Sequence, residues 1–162
     1  MPQFGRASFD RLATCSPNIQ RVMNRAIAYP RGPDFGVISA RRTVAEQAEK
    51  VRLGYSKTMN SAHVADPPAL SKAIDIGPYI PEWGELIVGS DAQVKRIAAR
   101  TGFKEEGVRI RIWKQYGMLA GWILHVAESV GVELIYGGDW DRDWNAIENN
   151  FEDLGHFEEP RP

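Results

Sequence analysis

Apolar positions early in the chain recur with helical spacing. Ile19, Val22, Met23, Ala26 and Ile27 fall at i, i+3, i+4, i+7 and i+8, which predicts one helix with one buried face. Ser16-Pro17 supplies its N-cap and a proline at the first helical position, and the Pro30 to Pro33 segment stops it. A shorter helix over Ser8 to Ala13 is expected beside it. Phe35 to Ser39 reads as a short strand. Thr43-Val44-Ala45-Glu46 is a capping box, so a helix begins there with Val44, Ala48 and Val51 inward and Gly54 as its stop.

Beyond a polar, irregular stretch from Ser56 to Asp66 and the Asp66-Pro67-Pro68 loop, the period changes to two. Over Lys72 to Gly77, Ile74 and Ile76 share one face while Ala73, Asp75 and Gly77 share the other. A carboxylate is thereby mounted on a rigid strand, which Pro78 and Pro81 are expected to end. Ser90 to Gln93 is a second capping box, opening a helix that runs to Gly102. A longer helix is predicted over Arg111 to Val130. Its inward face is Trp113, Tyr116, Ala120, Ile123, Leu124, Ala127 and Val130, and His125 falls opposite, toward solvent. Val132 to Tyr136 reads as a strand before a Gly137-Gly138 turn. Asn145 to Phe151 reads as a short helical or irregular crossing. A last short strand over Gly155 to Glu158 puts His156 and Glu158 on one face and Phe157 on the other. This irregular alternation predicts an α+β fold with a small, largely antiparallel sheet flanked by helices.

Composition bounds what such a domain does. The chain has 162 residues, 43% of them apolar and 25% charged, which fits one domain with its own core, spanning 1–162. A net charge of −1 points away from nucleic acid and anionic membranes. The start of the chain lacks an apolar signal core, and no run of about 18 apolar residues occurs. The expectation is synthesis in the cytoplasm, no stable membrane insertion, and a monomer. Cys15 is the single cysteine, so no intramolecular disulfide is available.

The candidate chemistry gathers around two of the three histidines. His63 and His156 lie outside the helices, near Asp75 and Asp153 in sequence. A catalytic zinc needs three protein ligands and one open position, and two histidines with one carboxylate is a common set. A further carboxylate then handles the proton of the attacking water. Two histidines, one ligand aspartate and one spare aspartate meet that minimum. No HExxH motif is present. Asp139, Asp141 and Asp143 begin like a calcium loop, but Trp144 stands where glycine is needed and Asn150 where glutamate is needed. Trp140 and Trp144 are placed to line a cleft.

Ser61-Ala62-His63, Ala73-Ile74-Asp75 and Asp153-Leu154-Gly155-His156 together resemble the Ser-x-His, Ala-x-Asp and Asp-x-x-His pattern of the zinc D-Ala-D-Ala carboxypeptidase and phage L-alanyl-D-glutamate endopeptidase family. Ser56-Lys57-Thr58, Arg41-Arg42-Thr43 with Gln47, and Gly137-Gly138-Asp139-Trp140 resemble further segments of its phage branch. The likeness spans about residues 8 to 158. It implies a hedgehog/D-Ala-D-Ala peptidase-like fold, Zn2+ held by His63, Asp75 and His156, and Asp153 as general base and acid. It also implies Arg42 facing the substrate, with Arg41 as the register alternative, and Ser61 and Gln47 hydrogen-bonding the substrate or the residues behind it. The implied substrate is the peptidoglycan stem peptide, with cleavage at L-Ala–D-Glu favoured over D-Ala–D-Ala. A non-catalytic metal-binding domain on the same scaffold is the reading of another class. The family's His-to-Asp spacer is usually about six residues. Here eleven residues stand between His63 and Asp75, which makes Asp66 a competing ligand and the loop a candidate for reshaping the cleft rim.

Overall fold

The computed structural model describes residues 3–143 and 153–161, so the crossing expected over 145–151 lies outside the described residues. Five helices and five short strands follow one another along the described chain: α1 (Arg6–Leu12), α2 (Pro17–Ile27), β1 (Phe35–Ser39), α3 (Val44–Arg52), β2 (Ala73–Ile80), β3 (Glu85–Leu86), α4 (Asp91–Thr101), α5 (Glu105–Ser129), β4 (Ile135–Tyr136) and β5 (His156–Glu158). All strand pairings are antiparallel, in the order β1-β2-β5-β4, with β3 on the far end of β2. This is the α+β architecture expected from the pattern.

Local signals hold where the chain depends on them alone. Ser16 caps α2 by accepting from Ile19 N, and all five residues of its predicted face are buried. Thr43 and Glu46 form the reciprocal capping box of α3, and Gly54 follows it with φ +77°. The α2 face and the apolar face of α5 close over Ile74, Ile76 and Phe157 of the sheet, forming the main core. A smaller cluster joins Trp83 and Ile87 to α4 and the first half of α5.

Tertiary packing changes several predicted faces. Only Gln47 of α3 is buried, whereas Val44 is 51% exposed, because α3 rests on the polar segment after it instead of on the apolar core. β2 continues through Pro78, whose carbonyl accepts from Ile87 N, so its missing N–H disturbs no pairing there. Ser90 caps α4 as expected. The Gln93 side chain instead turns back to Val88 N, Gly89 N and Leu86 O, and ties β3 to the helix. α5 begins at Glu105, earlier than predicted, with Glu105 and Glu106 in the first turn where the helix dipole favours them. Trp113, expected inward, is 61% exposed, and His125 is exposed as expected. β4 is reduced to two residues at the end of the predicted strand.

Candidate metal centre and active-site cleft

The centre forms where β2 and β5 run side by side. Asp75 pairs with His156 across the two strands, so both side chains emerge on the same face. His63 arrives from the irregular segment, held by two backbone bonds: Arg42 N donates to its carbonyl at 2.9 Å, and its own N–H donates to Ser61 Oγ at 3.3 Å. His63 Nε2, Asp75 Oδ1 and His156 Nδ1 then converge, with separations of 2.9, 3.0 and 3.3 Å. Asp66, the competing carboxylate, is exposed and outside this group.

The other ring nitrogens decide what the convergence means. His63 Nδ1 lies 2.6 Å from the Ala40 carbonyl, which only accepts, so Nδ1 carries the proton. His156 Nε2 lies 3.0 Å from the Glu158 carboxylate and donates to it. Neutral imidazoles in these tautomers aim two nitrogen lone pairs and one carboxylate oxygen at a common point. Three acceptors facing one another need a positive charge between them, a proton or a metal ion. A tetrahedral zinc with bonds of about 2.0–2.1 Å sets its ligand atoms about 3.3–3.4 Å apart, close to the separations here. The donor set therefore fits a zinc-type ion.

Each ligand is oriented from behind. Arg42 Nη2 lies 2.6 Å from Asp75 Oδ2 and turns Oδ1 toward the histidines. Its guanidinium also donates to Ser39 Oγ and Gln47 Oε1. Gln47 is fully buried, and its amide N–H groups go to Ser56 Oγ and the Thr58 carbonyl. So held, the Gln47 side chain lies behind Arg42 and is 0% exposed. Arg41, the register alternative, donates to the Ala69 carbonyl at 3.2 Å. The Trp140 ring lies 5.2 Å from that of His156 and lines the cleft. The sequence does not single out Glu158 or the Ala40 carbonyl as orienting groups; the shared face of His156 and Glu158 on β5 is the signal it carries.

Electrostatics follow the geometry. Burial opposes charge on Asp75, yet hydrogen bonds to His156 and His63 outweigh it and hold the carboxyl well below its ordinary range. With protein groups alone, burial lowers His156, but hydrogen bonds to Asp75 and Glu158 push it up to about 9; a metal ion binding Nδ1 would take the place of the proton there. Asp153 differs: burial first, then the Asp75 charge, raise it above its ordinary value. A raised carboxylate beside a candidate metal site is suited to exchanging a proton. Asp153 is held by the Gly137 carbonyl, which accepts from its N–H at 2.8 Å, and its carbonyl accepts from His156 N at 2.9 Å. Ser61 sits at the rim of a cleft of about 470 Å³ that also contains His63, Asp153 and His156.

Fold and site together define an α+β peptidase-like domain with a two-histidine, one-aspartate centre. Over its whole length the fold resembles the crystal structure of the Serratia marcescens L-Ala D-Glu endopeptidase ChiX, with a TM-score of 0.64, 22% identity, and coverage of 98% of this chain and 91% of that one. The family of phage L-alanyl-D-glutamate peptidases matches residues 1–121, and the L-alanyl-D-glutamate peptidase of Escherichia phage T5 is 32% identical over 115 residues, 67% of this chain and 77% of the relative. The chain belongs to the phage L-alanyl-D-glutamate peptidase family.

Proposed function

We propose that this chain is a zinc-dependent endopeptidase that hydrolyses the amide between L-Ala and D-Glu in peptidoglycan stem peptides. The observation that carries the reading is the convergence of His63 Nε2, Asp75 Oδ1 and His156 Nδ1 on one point, beside the buried carboxyl of Asp153. Family membership supplies the bond that is cut. The described residues act as one catalytic domain, and the protein works as a monomer. It is made in the host cytoplasm and reaches the cell wall during phage-induced lysis.

His63, Asp75 and His156 would hold the zinc ion, which would supply an acidified water and polarise the scissile carbonyl. Asp153 takes the proton from the attacking water and returns it to the departing amine of D-Glu. Arg42 fixes Asp75 through Oδ2 and lines the cleft, where the one Nη1 N–H left over from Asp75, Ser39 and Gln47 can meet a substrate carbonyl or carboxylate. Gln47 holds Arg42 from behind. Ser61 Oγ accepts from His63 N, which leaves its hydroxyl proton for a peptide carbonyl at the rim.

The test is digestion of purified peptidoglycan with and without a zinc chelator, followed by mass spectrometry. New fragments beginning at D-Glu, lost on chelation, are expected. Release of free D-Ala alone would mark a carboxypeptidase. No chelator-sensitive product from several wall types would leave a non-catalytic metal-binding domain.

A further inference from the structure

The cleft has a second arm. Beyond Asp75 and Asp153, on the side away from His63, lies a cavity of about 370 Å³ between β2 and α5. Its walls include Val88, Arg109, Ile112, Trp113, Tyr116 and Leu154. Arg109, Trp113 and Tyr116 stand at i, i+4 and i+7, so one stripe of α5 faces this space. Tyr116 closes its floor, with its hydroxyl donating to the Ile87 carbonyl at 2.8 Å. Trp113 at the mouth is 61% exposed and Val88 51%. Among the described residues the Trp113 indole N–H makes no hydrogen bond, so the ring is an open apolar face with an unused donor.

The two arms differ in charge. The arm containing His63 is lined by three cations, Arg42, Lys57 and Arg161, against two carboxylates, Asp153 and Glu158. The Trp113 arm is lined by one cation, Arg109, against two carboxylates, Asp75 and Asp153. Cations of both arms have carboxylate partners, Arg109 with Asp91 at 2.8 Å, Arg42 with Asp75 at 2.6 Å and Arg161 with Glu158 at 3.8 Å, so the contrast lies in the balance of charges lining each arm. The stem peptide has a matching asymmetry about the L-Ala–D-Glu bond. On the D-Glu side it carries the free carboxylate of D-Glu and those of the residues after it. On the L-Ala side it is neutral, because the lactyl carboxyl of the amino sugar is tied up in the amide to L-Ala.

We propose that the Trp113 arm is the glycan-side subsite, in which the Trp113 ring packs on the muramyl sugar while the acidic half of the stem peptide lies in the Arg42–Lys57–Arg161 arm. The proposal rests on the peptidase reading above and fixes the direction in which the substrate crosses the centre. A sugar presents C–H groups on one face and hydroxyls at its edge, and an exposed indole offers an apolar face and one N–H donor to match. Trp113 is then a specificity-determining residue for glycan-linked over free stem peptides.

The experiment compares two substrates of identical peptide sequence: N-acetyl-L-Ala-γ-D-Glu-diaminopimelate, and the same tripeptide carried on its GlcNAc-MurNAc disaccharide. Trp113→Ala is expected to lower kcat/KM on the disaccharide substrate by about fivefold to tenfold, the scale of one aromatic contact, and to leave the glycan-free peptide within about twofold. Trp113→Phe keeps a ring and is expected to recover most of the loss. Equal losses on both substrates, or no loss on either, would overturn the subsite. If the unsubstituted protein cleaves neither substrate, the peptidase reading itself fails, an outcome separable from the first two.

Discussion

His63 and His156 face each other with Nε2 and Nδ1 3.3 Å apart, after each has turned its other ring nitrogen to an oxygen acceptor. Neither nitrogen satisfies the other unless a proton or a metal ion lies between their lone pairs. Asp75 Oδ1 adds a third acceptor instead of a donor. The Ala40 carbonyl and the Glu158 carboxylate thus fix the tautomers that make a cation site, the part that orienting groups play behind metal-bound histidines in general.

One divalent metal per chain is the expected stoichiometry by plasma mass spectrometry, after dialysis against trace zinc. His63→Ala, Asp75→Ala and His156→Ala should each lose it. Glu158→Gln keeps an oxygen for the His156 N–H but removes the charge, and should weaken binding by about tenfold to a hundredfold without abolishing it. A Glu158→Gln protein with undiminished affinity would contradict the tautomer argument.

Asp153 lies in the same cleft but outside the converging triad. Asp153→Ala should therefore keep the metal and the fold while kcat falls by about 10²–10⁴, the range for loss of a general base. Metal content and turnover measured on the same preparation separate this from damage to the centre. Full activity in Asp153→Ala would assign the proton transfer elsewhere.

What the sequence reveals here depends on how local each cause is. The α2 face was legible because its cap, its first-turn proline and its period all act within one segment. Asp75 and His156 were legible because strand alternation sets the face of a side chain wherever the strand is paired. Trp113 was not: helical phase gives its direction, but α5 carries that turn past the core to the mouth of a cleft, which only the neighbouring loop and β2 define. The sequence leaves Gln47 equally a substrate contact or a support behind one, because its partners, Arg42, Ser56 and Thr58, meet it only once the irregular segment folds back over α3.

Gly137 is a position where close backbone approach, not turn geometry, demands glycine. A Cβ there would stand 2.4 Å from the Asp153 carbonyl oxygen and 2.9 Å from His156 Cβ. Gly137→Ala must push the Asp153–His156 segment outward. Displacing a proton-transfer group by about 1 Å costs on the order of a hundredfold in rate, so kcat/KM should fall by about that factor. Thermal unfolding should shift far less than for a core truncation such as Ile74→Ala. Wild-type turnover in Gly137→Ala would show that this segment tolerates displacement.

Cys15 provides a probe of the fold that leaves the cleft untouched. It is fully buried in the link from α1 to α2, its Sγ 3.8 Å from the Ala73 carbonyl, and burial first, with Asp75 and Glu159 adding, pushes the thiol up to about 12. A free cysteine ionises near 8.5. The folded state thus holds this proton more tightly than the unfolded chain does. The resulting stability is fully present below the unfolded value and is lost as pH rises toward the folded one, so the alkaline side of the stability profile should fall between about 8.5 and 12. At pH 8 the native thiol is protonated and covered, and only the thiolate attacks disulfide reagents. Labelling with an aromatic disulfide reagent should therefore be negligible in buffer and should rise with denaturant in step with the loss of far-ultraviolet circular dichroism. Rapid labelling of the native protein at pH 8 would mean that α1 and α2 part on their own, well below the global unfolding transition.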